Sequence, residues 1–337
     1  MQKLKVGIVG LGRLGQRYAE NLALRIPNAE LIAACSIVSD ERQWAKQELN
    51  VQHIYSQYDE MVRRPDLDLV FVLSSSSLHI EHMSKALDVG LHVFSEKPLA
   101  TSTAACLDFE QHASNYPNQT AAVGFVRRFD KSYQYAKEKV DEGTIGRPFL
   151  VRSQTIDLSS KAEFQTKFVG SSGGIFHDFN VHDIDLARWF LGSEIASVHS
   201  IGEAYKFPIF GELGDADNVM STCVFENGSM AVINASRTAA HGHDTYTEVI
   251  GTEGTLRIGR PASKNRVEIY DQHGARRECV ETFWDRFEDA FFRMTTHVVD
   301  CVQQSHPLAF KLSDATQATR VAEAFTTSFK TGKLVNL

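Results

Sequence analysis

The chain of 337 residues is long enough for two domains. Its 43% hydrophobic and 23% charged residues are the balance of an ordered globular protein, which excludes intrinsic disorder as the main state. With 35 basic against 42 acidic residues the net charge is −7, so the basic footprint of a general nucleic-acid binder is missing. Cys35, Cys106, Cys223, Cys279 and Cys301 are odd in number, widely spaced and form no C-x-x-C pair. They read as core residues of a cytoplasmic protein, not as a disulfide framework or a zinc site. Met1-Gln2-Lys3 runs straight into a strand-like segment, so no leader is expected, and no apolar run approaches the ~18 residues of a membrane span.

Residues 1–125 alternate short apolar runs with helical patterns. The runs are Leu4–Val9, Leu31–Cys35, Leu67–Leu73, Leu91–Phe94 and Ala121–Gly124, and helices are predicted around Arg13–Arg25, Asp40–Leu49, Leu78–Val89 and Thr103–Ser114. Near-continuous apolar strands separated by helices indicate an α/β, doubly wound parallel sheet of the Rossmann type. After Arg147-Pro148 the texture changes, and residues 126–337 read as a second, α+β domain. An amphipathic helix is predicted near Asp178–Leu191. Strands follow at Ser197–Ala204, Met220–Phe225, Ser229–Ala235, Thr245–Ile250, Thr255–Ile258 and Val267–Tyr270, with Asn227-Gly228 as a hairpin turn. They predict a large, mostly antiparallel open sheet. Two late helices are expected near Trp284–Gln303 and Ser313–Lys330, the last of which could pack back on the first domain.

Three motifs carry chemistry. Gly10-Leu11-Gly12-Arg13-Leu14-Gly15 follows an apolar strand and opens a helix, the context that makes G-x-G-x-x-G a dinucleotide site. Gly10 allows the turn, Gly12 the approach of a pyrophosphate, and Gly15 the packing of helix on strand, while the helix N-terminus offers free N–H groups. About 20 residues on, where an acid would bond the ribose 2′-hydroxyl, stands Ser36. Arg42 could pair with a 2′-phosphate or sit on a helix surface. NAD(H) is favoured because no Arg follows Ser36 directly, and NADP(H) stays open. The serine run Ser74–Ser77 ends a predicted strand and is a candidate ligand loop.

Glu96-Lys97-Pro98 lies at the carboxyl end of a parallel strand, where open α/β sheets bind ligands. There Lys97 could donate to a substrate oxygen and hold developing negative charge. Beyond Gly173-Gly174, the spacing i, i+4, i+7 puts Asp178, His182 and Asp185 on one helix face. A carboxylate one turn from His182 makes that imidazole a general-base candidate. His177 does not face His182, and no metal site is expected. Arg127 and Arg128 could donate to a substrate or form salt bridges. His241 and His243 are equally pocket or loop candidates.

The order and spacing of these motifs resemble the glucose–fructose oxidoreductase/inositol dehydrogenase (Gfo/Idh/MocA) family over essentially the whole chain. Val123-Gly124-Phe125-Val126-Arg127-Arg128-Phe129-Asp130, His243-Asp244 and Trp284-Asp285-Arg286-Phe287 are most similar to its inositol dehydrogenase branch. The resemblance implies an NAD(P)-dependent enzyme that oxidises a cyclitol, myo- or scyllo-inositol, to a 2-keto-inositol, and a homotetramer built through the open sheet. It implies Lys97, Asp178 and His182 as catalytic residues. The implied cofactor set is Gly10, Gly12, Arg13, Leu14, Gly15, Ser36, Ser74, Ser75, His79, Glu96 and Lys97. Substrate contacts would come from Lys97, Arg127, Thr155, Asp157, Asp178, His182 and His243. Thr155, Asp157, His243 and Ser36 depart from the myo-inositol pattern, which leaves stereoisomer and cofactor open. An aldose dehydrogenase and a non-catalytic dinucleotide-sensing regulator are the alternatives; the intact Lys97, Asp178 and His182 speak against the regulator.

Overall fold

The computed structural model describes residues 2–259 and 262–337, which fall into two compact units. The first holds residues up to Val126 together with Asp289–Thr319; the second holds Arg127–Glu288 and Arg320–Leu337.

In the first unit, strands β1 (Leu4–Val9), β2 (Ala29–Cys35), β3 (His53–Tyr55), β4 (Leu69–Val72), β5 (His92–Glu96) and β6 (Ala121–Gly124) form one sheet of order β3-β2-β1-β4-β5-β6. Every pairing in it is parallel. Helices α1 (Arg13–Glu20), α2 (Ser39–Glu48), α3 (Tyr58–Val62), α4 (His79–Asp88) and α5 (Thr103–Ser114) connect the strands. All four residues of β4 are buried, as a strand covered on both faces requires. Tyr18 of α1 packs against Phe71 and Phe94 at centroid distances of 5.9 and 5.8 Å. The order reverses between β1 and β4, which opens the ligand crevice of such sheets at the carboxyl ends of those strands. The helix expected over Arg13–Arg25 is α1 continued by a π-helical turn, Asn21–Arg25.

In the second unit, β7 (Pro148–Leu158), β8 (Ile195–Glu203), β9 (Asn218–Phe225), β10 (Met230–Ala239), β11 (Asp244–Gly251), β12 (Thr255–Ile258) and β15 (Val335–Asn336) form a sheet of order β12-β11-β7-β10-β9-β8-β15. It is mixed: β7 and β10 run parallel and the neighbouring pairs antiparallel. Val267–Tyr270 does not join it; β13 (Ile269–Asp271) pairs only with β14 (Gly274–Arg276) in a separate hairpin. The unit also contains α6 (Lys131–Asp141), α7 (Ala162–Thr166), α8 (Val169–Ser172), α9 (Val181–Leu191) and α10 (Pro208–Glu212). The two late helices, α11 (Phe283–Gln304) and α12 (Leu312–Thr331), each contribute residues to both units.

The β1–α1 turn depends on close backbone approach. Gly10 has φ +89°, and a Cβ there would lie 2.3 Å from the Leu73 carbonyl oxygen. A Cβ on Gly15 would lie 2.0 Å from the Gly10 carbonyl oxygen. Gly15→Ala should therefore cost about 1–3 kcal/mol, the usual penalty of overpacking, seen as a lower melting temperature. Unchanged melting would mean that the helix can move off the turn freely.

Candidate active site

Gly12 differs from its two partner glycines. A Cβ there would meet only a Glu41 carboxylate oxygen, 4.0 Å away, so space remains over its backbone. Helix α1 begins just beyond it with no side-chain cap and no acidic residue in its first turn, which leaves its N-terminal N–H groups suited to an anion. Arg13 is exposed and Leu14 half-buried at this end. An open glycine beside a bare helix N-terminus fits a dinucleotide pyrophosphate.

The loop after β4 is held by histidines. Ser74 Oγ lies 3.0 Å from His82 Nδ1, and Ser75 is exposed. His79 is buried, with Nδ1 2.8 Å from the Pro98 carbonyl oxygen and Nε2 3.0 Å from that of Ser74. Its ring thus ties the serine loop to the segment carrying Lys97, the neutral imidazole donating to one of these two carbonyl oxygens at a time. Burial pushes the His79 pKa down, and that of His82 to about 4. Glu96 is also internal: it accepts a hydrogen bond from the Tyr18 hydroxyl and one from the Lys97 N–H at 3.1 Å. Burial raises its pKa against the opposing effects of Tyr18 and Lys97. Glu96 is therefore placed to fix the backbone of Lys97, at the carboxyl end of β5. The Lys97–Pro98 peptide is cis.

In the second unit the Gly173-Gly174 turn, with φ +80° at both residues, leads into a π-helical turn, Phe176–Asn180, and then α9. Asp215 fixes the start of this segment. Its Oδ1 accepts the Ile175 N–H at 3.1 Å, and its Oδ2 accepts from Arg237 Nη1 at 2.7 Å. Asp178 and His182 are half-buried amid the buried neighbours Phe179, Asn180 and Val181. The single face expected for Asp178, His182 and Asp185 does not hold. Asp178 lies in the π-helical turn, and Asp185 is buried against Arg128, accepting from Nε at 2.8 Å and Nη2 at 2.5 Å. His177 is buried too, its Nδ1 3.0 Å from the Gly173 carbonyl oxygen.

The pocket positions lie along β7 and at the start of β11. Arg127 is 3% exposed, and its guanidinium donates to Asp183 Oδ1 at 2.8 Å and to Thr155 Oγ1 at 2.5 Å. The Thr155 hydroxyl in turn donates to Asp183 Oδ2 at 2.7 Å. Arg127 and Thr155 are therefore engaged with the protein itself. Asp183, which the sequence reading missed, is the common acceptor, taking further bonds from Ser153 at 2.6 Å and Asn180 at 3.3 Å. An aspartate flanked by Val181, Ile184 and Leu186 in an amphipathic helix, with an arginine pair elsewhere in the chain, was the available signal.

Asp157 accepts from Gln165 Nε2 at 2.9 Å, and its Oδ1 lies 3.5 Å from His243 Nδ1. Burial favours a protonated Asp157, but His243 and Lys161 outweigh it and keep the carboxyl below its usual range. His243 is 4% exposed and packs edge-on to Phe283 and Phe287, and neither ring nitrogen has a well-formed hydrogen bond among the described residues. Burial lowers its pKa although Asp157 opposes this, so the ring is neutral near pH 7. His241 lies outside, half-exposed, 3.4 Å from Asp244. Among the described residues no His, Cys, Asp and Glu cluster suits a metal.

Asp183→Ala would leave the Arg127 guanidinium buried without its counter-charge, an expected loss of about 3–5 kcal/mol by denaturant unfolding. A change below about 1 kcal/mol would mean that the network carries little stability. A pH effect also follows. His79, His82, His177 and His243 all have pKa values depressed by burial. Below about pH 6.5 the unfolded chain binds protons that the folded chain refuses, so stability falls with pH. The melting temperature at pH 5.5 should lie below that at pH 7.5; an equal or higher value would contradict neutral buried histidines.

Residues 4–125 match the model of an oxidoreductase family with an NAD-binding Rossmann fold, and residues 133–257 match the GFO/IDH/MocA C-terminal domain. The chain is 33% identical to scyllo-inositol 2-dehydrogenase (NAD(+)) of Bacillus subtilis, over 99% of this chain and 96% of that protein. It is 30% identical to myo-inositol 2-dehydrogenase of Thermotoga maritima, covering 99% and 98%. The crystal structure of scyllo-inositol dehydrogenase from Lactobacillus casei with bound NAD(H) and scyllo-inositol superposes with a TM-score of 0.96 at 38% identity, covering 99% of each chain. The glycine turn, the Lys97 segment and the helix bearing Asp178 and His182 thus sit in a chain that belongs to the Gfo/Idh/MocA family of oxidoreductases.

Proposed function

We propose that the chain is an inositol 2-dehydrogenase that oxidises a cyclitol, myo- or scyllo-inositol, to a 2-keto-inositol with NAD(H) as its cofactor. The observation that carries this reading is the 38% identity, across 99% of the chain, to an enzyme crystallised with NAD(H) and scyllo-inositol. Gly12, with the N–H groups of Arg13 and Leu14, would hold the pyrophosphate over a turn that Gly10 and Gly15 permit. Ser36 would face the ribose, and Ser74 and Ser75 would lie at the carboxyl end of β4. When bound, the nicotinamide supplies the acceptor for the carbinol hydrogen and its electron pair.

The chain's own groups manage the proton and the oxygen. His182 takes the hydroxyl proton, Lys97 donates to the same oxygen as negative charge builds on it, and Asp178 orients the imidazole. Asp157 and His243 offer a charged acceptor and a neutral ring nitrogen to other substrate hydroxyls, while Arg127 and Thr155 hold the wall behind them. A homotetramer belongs to the same reading. Ile201, Met220, Val224 and Met230 are exposed on neighbouring strands of the second sheet, an apolar face that further copies would cover. A cytoplasmic setting accords with five cysteines that are all free.

Initial rates with NAD or NADP, and with myo-inositol, scyllo-inositol or glucose, test the proposal. One inositol with NAD should give the highest kcat/KM. Lys97→Ala and His182→Gln should each lower kcat by about 10²–10⁴-fold while leaving dinucleotide binding nearly unchanged. Near-normal turnover in Lys97→Ala would overturn the mechanism, and activity with glucose alone would overturn the substrate.

A further inference from the structure

The first unit carries an acidic group that the sequence pattern does not place at the ribose. β2 ends at Cys35, and Ser36 follows, where an acid commonly reads the ribose. The serine hydroxyl is engaged twice: Oγ donates to Glu41 Oε2 at 2.5 Å and accepts the Val38 N–H at 3.1 Å. Glu41 stands in the first turn of α2, and its other oxygen, Oε1, is the atom 4.0 Å from a Cβ placed on Gly12. One carboxylate thus reaches from the end of β2 to the open glycine of the phosphate turn. These two landmarks bracket the adenosine ribose in a dinucleotide-binding βαβ unit. Beside it, Ile37 and Val38 are 88% and 45% exposed, an apolar edge suited to a purine face. Arg42 is engaged with the backbone, its Nη1 donating to the Ser36 carbonyl oxygen at 2.7 Å.

We propose that Glu41, held in place by Ser36, is the residue that selects the cofactor: it accepts a hydrogen bond from the adenosine ribose 2′-hydroxyl and repels a 2′-phosphate. The acid missing at the end of β2 is supplied from the first turn of the next helix. A charge-assisted bond favours the diol, and like charge works against the phosphorylated dinucleotide. The proposal rests on the nicotinamide-cofactor reading of the first unit and is independent of which polyol is oxidised.

Direct titration of NADH and NADPH by nicotinamide fluorescence, without polyol, tests it. The unsubstituted protein should bind NADH at least about tenfold more tightly than NADPH. Glu41→Gln should weaken NADH binding by about tenfold and bring the two affinities together, as expected when a hydrogen bond to a charged group is lost. Ser36→Ala should shift both affinities in the same directions but less. Glu41→Gln binding both dinucleotides as the unsubstituted protein does would overturn the proposal. So would tighter NADPH binding that Arg42→Ala abolishes, which would assign selection to Arg42. Failure of the unsubstituted protein to bind either dinucleotide would overturn the cofactor reading itself. Binding without inositol turnover would leave Glu41 selection intact and count against the polyol alone.

Discussion

The second unit is organised around one buried anion. Asp183 is fully buried and accepts hydrogen bonds from Arg127, Ser153, Thr155 and Asn180. A carboxylate in that position is tolerated only if its lone pairs are satisfied and a cation offsets its charge. Those demands settle several side chains together. The guanidinium of Arg127 is held in a fork between Asp183 and Thr155. The alternating residues Ser153 and Thr155 of β7 must turn inward, and the start of α9 must lie over that strand. The positions of Asp157, two residues beyond Thr155, and of His243, beside it across the β7–β11 register, follow from this arrangement. A network of this kind orders its members more firmly than separate pairs would.

The first unit meets a different constraint, the distance between two backbones. Gly10 and Gly15 have no room for a side chain, whereas Gly12 has room that nothing in its own unit fills except the edge of Glu41. Two of the glycines of the motif therefore serve the fold, and the third leaves space for a ligand. His79 and Glu96 are likewise internal supports, joining the serine loop, the Lys97 segment and α1 to one another. Residues that belong to the cofactor set by resemblance thus divide into those with open faces and those that hold the former in position, a division that pattern alone does not reveal.

Apolar runs made most of the fold legible. β1, β6 and α5 occupy the ranges that the sequence predicts, and five of the six parallel strands fall on predicted apolar runs; β3, three half-buried residues, carries no such run and was missed. β7 escaped because the face it buries is mostly polar: after Val151 come Ser153 and Thr155, so a single apolar residue marks the period-two signal of the strand. That omission also hid the parallel β7–β10 pair within a sheet that is otherwise antiparallel, as expected. α6 was missed although Tyr133, Ala136 and Val140 mark its buried stripe and Asp130 caps it. The π-helical turn at Phe176–Asn180 was beyond reach, since spacing arguments assume a regular helix; with it went the shared face of Asp178, His182 and Asp185. Cofactor and base candidates were legible because their motifs are short and local. Asp183, Asp215 and Glu41 were not, since each acts through a partner that folding alone brings near.

A polyol site has to distinguish hydroxyl groups that differ only in direction, and buried polar atoms suit that task. His243 is held neutral by burial, with Asp157 3.5 Å from its Nδ1 and its Nε2 without a partner among the described residues. Under the proposed function a substrate hydroxyl placed against that nitrogen would supply its hydrogen bond. Thr245 Oγ1 and Gln165 Oε1 are also buried without partners among the described residues. A ligand whose hydroxyl points elsewhere leaves the protein group unsatisfied, and that penalty discriminates far more strongly than a change in apolar contact. Under the proposed function, selection among cyclitol epimers would be a matter of which of these atoms each hydroxyl satisfies.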